Sequence, residues 1–274
     1  MNRKSGLSIV YIVIVLLFLY LPMACVVVYS FNISKSSAVW SGFTLDWYAE
    51  MIKDRSLREA LGVSLRVALL TSVVSAVLGT SGAVAMNKLT GRLANTLRGF
   101  VYIPLVVPEI TLGVATMVFF SFLRVPRGVV ALMLAHSTFC IPYVFILVHI
   151  RLKMIDPKVM EAARDLGATR ISAFFTVTLP LILPAIGTSA LLAFAMSLDD
   201  VIISSFVSGT TNPLQPQIHS MLKVSMTPKI NALCTLILVV TFLVAGLTQA
   251  VVLGKTQEEK KEKKSEKKGL ISES

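Results

Sequence analysis

The 274-residue sequence predicts an all-α membrane protein that crosses the bilayer as six helices. Three observations carry this. Hydrophobic residues make up 55% of the chain and charged residues 15%, whereas about a quarter of an ordinary soluble domain is charged. The apolar residues are gathered into six long blocks. Most of the basic residues behind a net charge of +11 fall between those blocks and in one tail, not on a single amphipathic face. A soluble fold, a disordered chain, a disulfide scaffold and a nucleic-acid partner are all poor fits to that pattern.

The blocks span residues 7–31, 60–86, 100–122, 128–150, 174–207 and 231–253. Each reaches the roughly 20 residues that a crossing helix needs. Open strands and loops would leave unsatisfied backbone against lipid, so helices are expected. The first block follows Arg3 and Lys4 and contains Ala24–Cys25, which has the look of a lipoprotein cleavage site. Its apolar run is too long for a signal peptide and continues through Val26 to Tyr29, and Pro22 sits badly for cleavage, so an uncleaved span is expected. The fifth block is too long for one straight crossing and carries Pro180 and Pro184. It is expected to be broken, tilted or partly outside the core.

With the N-terminus inside, cytoplasmic segments hold 17 Lys and Arg and outer segments 8, which places both termini in the cytoplasm. Residues 1–6 are then a cytoplasmic N-terminus, 7–253 the six-span domain, and 254–274 a tail of Lys and Glu. The tail has no apolar period and is expected to be solvated and disordered. It reads as a topology determinant or as an attractor of anionic lipid. Cys25, Cys140 and Cys234 all fall in apolar blocks without a CxxC pair, and are expected to be small buried hydrophobes rather than redox or metal ligands.

The loop at 151–175 is the most informative cytoplasmic segment. Its centre places Asp156 as N-cap, Pro157 at the first helical position and Gly167 where the chain turns left-handed after the helix. A helix over about 157–166 is predicted, with Val159, Ala163 and Leu166 as an apolar stripe and Met160 beside it. Glu161-Ala162-Ala163, then Gly167, then Val177-Thr178-Leu179-Pro180 resemble the cytoplasmic signature of ABC-importer permease subunits. The family pattern is EAA, three residues, Gly, nine residues, then Ile-x-Leu-Pro; here Val177 replaces the Ile.

The resemblance covers roughly residues 7–253. Tyr29–Asn32, Trp47–Tyr48, Ala135–Cys140, Ser197–Val201, Ser204–Gly209 and Asn231–Leu233 are similar to the spermidine/putrescine branch, of the PotC/PotI type. It implies the type I (MetI-like) permease fold in a bacterial inner membrane. It further implies that Glu161, Ala162, Ala163, Gly167, Leu179 and Pro180 couple the chain to ATP-binding cassette subunits, two in number. A second, homologous permease would complete the path. An extracytoplasmic polyamine-binding protein would dock on the outer loops at 32–58 and 209–230. In that branch, acids at the positions of Glu109, Asp199 and Asp200 are implicated in substrate passage, with Trp47 and Ser197 beside them. Glu109 stands where Asp is frequent.

The residues point the same way independently. Glu109, Asp199 and Asp200 are the acids inside apolar blocks. A carboxylate near the bilayer centre costs about 2.5–3.5 kcal/mol and calls for water, a partner or a ligand. Glu109 follows Pro108 and can cap a broken half-helix instead. Asp199 and Asp200 would point about 100° apart on a regular helix, one toward water and one toward an internal partner; an unwound helix near Ser197 would let both line a cavity. Arg66 is placed to snorkel outward. His136 and His149 are thirteen residues apart, share no clean face for a metal, and read as structural histidines. Trp40, Trp47 and Tyr48 serve either as interfacial anchors or at a passage mouth. An acid-rich, base-poor interior favours a cationic cargo, whereas an anion importer would aim bases or helix N-termini inward.

No Walker loop, GxSxG, HExxH or Cys/His nucleophile arrangement is present. The chain is therefore expected to be no enzyme, to carry no cofactor or metal, and to borrow its energy from a separate ATPase. Three alternatives stand beside this one: a permease of the same family for iron, phosphate, sulfate or an amino acid; an ion-coupled secondary transporter; and an intramembrane enzyme using Asp199–Asp200 as a dyad.

Overall fold

The computed structural model describes residues 3–34, 39–224 and 227–243, and every one of its regular elements is a helix. The chain divides into two compact units, Met1–Asp54 with Val224–Ser274, and Arg55–Lys223.

The larger unit is built on α3 (Arg55–Asn87), α6 (Val129–Lys153) and α9 (Leu179–Asp199), which pack on one another. The buried face of α3 is a run of small and hydroxylated residues: Ser64, Ala68, Thr71, Ser72, Ser75, Gly79 and Ala83. Small side chains let helices approach closely where no hydrophobic effect drives them together. Gly79 marks the tightest point, because a Cβ there would lie 2.7 Å from Val144 Cβ and 3.1 Å from the Ile141 carbonyl oxygen. Ser72 Oγ donates to the Ala190 carbonyl at 2.6 Å, joining α3 to α9. Phe145, Val144, Val148, Ile182 and Ala193 fill the core around this contact.

The third apolar block is not one continuous helix. It is split into α4 (Gly91–Val106) and α5 (Glu109–Phe122), which meet at 105°. The sequence explains the corner: Pro108 holds Val107 extended, at φ −70° and ψ 129°, and supplies no N–H to continue the helix.

The fifth block is interrupted, as its length requires, but in two ways. Before α9 come α8 (Arg170–Ala173) and a π-helical turn, Phe174–Thr178. That widened turn sits directly ahead of Pro180, whose ring would otherwise press on the carbonyl four residues back. At its far end α9 stops at Asp199, and a short α10 (Ile202–Val207) follows. Ser197 is still helical, so the unwound point lies at Asp200–Val201 and not at Ser197. The short helix α7 (Pro157–Asp165) and α11 (Leu214–Val224) complete this part of the chain.

The smaller unit contains α1 (Arg3–Tyr29), α2 (Asp46–Lys53) and α12 (Pro228–Leu243). α1 runs unbroken through Pro22 and the Ala24–Cys25 site. Cys140 is buried, Cys234 is half-buried and Cys25 is exposed. The expectation of three buried thiols therefore fails at Cys25, because α1 turns its side chains outward along most of its length.

Among the described residues four helices are long and apolar enough to cross a membrane, or five if the bent α4–α5 pair is one span. The sixth block is represented by α12, which is shorter. Its remaining residues and the charged tail lie outside the described residues.

Candidate functional site

The break between α9 and α10 separates two neighbouring carboxylates. Asp199, the last residue of α9, is exposed and its Oδ1 accepts from Gln215 Nε2 of α11 at 2.8 Å. Asp200 turns inward, with a side chain only 5% exposed. Its Oδ2 accepts from the Ser204 N–H at 2.6 Å, and its Oδ1 lies 3.4 Å from the Ile203 N–H. Asp200 thus satisfies the orphan donors at the start of α10 as a capping carboxylate. Of the arrangements open to adjacent acids, the chain adopts the one with a single carboxylate facing out and the other facing an internal partner.

That partner is His136 on α6, whose Nε2 is 3.3 Å from Asp200 Oδ2 and 3.0 Å from Ser204 Oγ. Its Nδ1 is 2.7 Å from Ser197 Oγ on α9. A carboxylate can only accept, so Nε2 carries a proton; in the neutral ring, Nδ1 then accepts from the Ser197 hydroxyl. His136, Ser197 and Ser204 are each buried. Together with Ser64, Val67, Asp200 and Pro213 they enclose a gap too tight for a water molecule. Ser64 Oγ also accepts from the Leu214 N–H at 2.8 Å, which ties α3 to the start of α11.

The other residues expected along a path are dispersed. Glu109 opens α5, exposed, and makes no hydrogen bond or ion pair with any described residue. A negative charge in the first turn is favoured by the helix dipole. One turn on, Gly113 packs against α10, where a Cβ would lie 2.7 Å from Phe206 Cδ2. The two helix breaks are therefore carried on elements in direct contact. Trp47 belongs to the smaller unit, where its indole Nε1 donates to the Asn32 carbonyl at 2.7 Å. Asn32 also bonds Val39 and Ser41, and Tyr48 hydroxyl lies 2.6 Å from Ser30 Oγ. Trp47 and Tyr48 thus secure the segment between α1 and α2 internally. Among the described residues no group of three His, Cys, Asp or Glu side chains could hold a metal ion.

At α7, the Asp156 carboxylate accepts from the Lys158 N–H at 2.9 Å and Pro157 opens the helix. At the other end Gly167 has φ +89°, its N–H bonds the Arg164 carbonyl at 2.9 Å, and the Ala168 N–H bonds that of Ala163 at 3.1 Å. This is a Schellman closure, and it needs a left-handed residue. No residue of α7 is buried. The expected apolar stripe is not packed as a unit: Met160 and Ala163 are half-buried, while Val159 is exposed and Leu166 is 90% exposed. Glu161, Arg164, Asp165 and Gly167 line a shallow open depression with Ala168 and Thr169.

Sequence reasoning missed Ser64, Ser204 and Gln215, and read His136 as structural without giving it a partner. One signal was present: a histidine in an apolar block, with no acid on its own helix, needs a partner from another helix.

Residues 61–254 match the family described as "Binding-protein-dependent transport system inner membrane component". The chain is 41% identical over 247 residues to the putrescine transport system permease protein PotI of Escherichia coli K12, which covers 86% of each chain. It is 34% identical over 241 residues to the spermidine/putrescine transport system permease protein PotC of the same strain, covering 88% of this chain and 91% of the other. Among solved structures, a bacterial ABC transporter that imports the acidic polysaccharide alginate superposes with TM-score 0.72 at 15% identity, covering 91% of this chain and 98% of that one. The MetNI methionine ABC transporter gives 0.56 at 18% identity, covering 73% and 97%. At those identities the structural likeness is one of fold.

Proposed function

Because the chain belongs to the binding-protein-dependent inner membrane components, the permease family of ABC importers, we propose that it is the permease subunit of an ATP-driven importer of the polyamines spermidine and putrescine. The observation that carries this reading is its likeness to two polyamine permeases over most of its length. The site supports it. Asp199 presents a carboxylate to the open side of a helix break, and Glu109 presents a second at the start of another broken helix. A flexible chain of ammonium groups and methylenes suits acids spaced along a passage, with aromatic faces such as Trp47 at its mouth. Ser197 and Asp200 support the break from behind.

Energy enters through α7 in this reading. A short helix closed at both ends, with no buried residue, is a rigid body that a partner can grip. Two ATP-binding cassette subunits would hold it at Glu161, Ala162 and Ala163, and Gly167 would keep its end from fraying. The π turn and Leu179–Pro180 then lie at the root of α9, so a movement of α7 has a route to the break at its other end. The chain would complete six crossings of the inner membrane with both termini inside, α12 continuing as the sixth. A second permease would supply the other half of the path, and a polyamine-binding protein would dock on the outer loops.

The test is uptake into inverted-free membrane vesicles holding this chain with its ATPase, its partner permease and the binding protein. Labelled spermidine or putrescine should accumulate only with ATP, and Glu161→Arg should stop accumulation while the chain still inserts. Accumulation that ignores ATP and collapses with an uncoupler would overturn the reading in favour of ion coupling.

A further inference from the structure

The geometry points to His136 as a positioning residue for passage of the cation: it holds Asp200 inward as the cap of α10, so that Asp199 alone faces the open side of the break. This rests on the polyamine reading above and adds to it a residue that contacts no substrate.

The argument begins with the cost of two adjacent carboxylates. Side by side at membrane depth they repel, and each loses hydration. The chain resolves this by giving them different surroundings. Asp199 is exposed and bonded by Gln215 from α11. Asp200 is buried and takes the Ser204 backbone N–H, with the imidazole 3.3 Å away. A buried carboxylate persists only when it is paired and its remaining lone pairs are satisfied. His136 reaches Asp200 from a separate helix, whereas Ser204 belongs to the α10 turn that Asp200 itself caps.

His136 is held in turn. Its other nitrogen meets Ser197 at 2.7 Å, and the ring is 2% exposed in a gap that admits no water. The ring therefore bridges α6, the end of α9 and the start of α10. Removing it takes away the imidazole donor and leaves Asp200 in a dry site on its backbone donors at Ser204 and Ile203, which favours rotation toward the exposed side, where Asp199 already stands. Two acids there would hold a diammonium chain by two ionic contacts and slow its release. One acid attracts the cation and lets it go.

The experiment reads local charge at the break. In the assembled transporter with Cys25, Cys140 and Cys234 replaced by Ala, Val201→Cys places a thiol beside Asp200. Its labelling rates with a cationic and with a neutral thiosulfonate are measured in membranes, without substrate. Adding His136→Leu should raise the cationic-to-neutral ratio by about threefold or more, because a negative charge has moved to the open side. His136→Asn, polar but too short to span Ser197 and Asp200, should do the same and serves if the leucine variant does not insert. Asp200→Asn on top of either should return the ratio to its starting value. A role limited to packing would change both rates together. An unchanged ratio in both histidine variants, or a rise that Asp200→Asn does not remove, overturns the proposal. Spermidine uptake by the same vesicles is the separate arm: its absence with native residues would refute the cargo, while the labelling ratio would still decide the role of His136.

Discussion

The imidazole of His136 and the carboxylate of Asp200 face each other at 3.3 Å across two helices, and the two side chains are 2% and 5% exposed. The next residue back along the chain, Asp199, is exposed. One peptide bond therefore separates an acid used to build the break from an exposed acid beside it.

This contact makes the chemistry of position 200 separable from its charge. Asp200→Ala removes the acceptor for the Ser204 N–H and strands His136, and should cost about 1–3 kcal/mol. Asp200→Asn keeps a carbonyl acceptor for the cap and should cost well under that. Thermal unfolding of the purified transporter measures both. Equal losses from the two substitutions would mean that capping is not what Asp200 contributes.

Position 199 should behave in the opposite way. Asp199→Asn keeps an oxygen for Gln215, so the unfolding midpoint should stay close to that of the native protein. Polyamine uptake should fall by about tenfold or more, since a contact to a charged group worth about 1.5–3 kcal/mol becomes a neutral one. Native uptake rates with Asn at 199 would remove it from the path.

Gly167 permits a test at the end of α7. Its φ of +89° disfavours a side chain, yet nothing lies within 4 Å of a Cβ there, so only backbone strain opposes substitution. Gly167→Val should cost about 1–2 kcal/mol of local order at the end of α7. The chain should still insert, but less ATPase should copurify with it. Gly167→Asn, which tolerates the left-handed region, should recover most of the association.

Gly79 is limited by space instead. A side chain there meets Val144 and the backbone carbonyl of Ile141, which cannot move aside as a side-chain tip can. Gly79→Val should destabilise the α3–α6 contact by about 1–3 kcal/mol. Gly99→Ala, in α4 with nothing within 4 Å, is the control and should be neutral or slightly stabilising. A comparison of unfolding midpoints decides between them.

Much of the architecture was legible because its causes are local. Apolar length places the long helices α1, α3 and α6 in their blocks, and Asp156, Pro157 and Gly167 bound α7 where the sequence puts its caps and turn. The corner at Pro108 was half legible. The proline was visible as a possible cap site for Glu109, yet the length of the block also suited one continuous helix. Proline restricts its neighbours but does not say by how much the axis turns; the packing of Gly113 on Phe206 accompanies that turn.

By itself the sequence determined that the chain belongs in a membrane, where its long helices run, which acids lie inside apolar blocks, and how α7 begins and ends. Each of these follows from hydrophobicity, backbone restriction or capping over a few consecutive residues. Only the tertiary structure decided that Asp200 turns in and Asp199 out, that His136 joins Ser197 to Ser204, and that Trp47 bonds its own loop. Those depend on which groups from distant stretches of chain share one dry pocket or one hydrogen bond, and sequence spacing carries no measure of that distance.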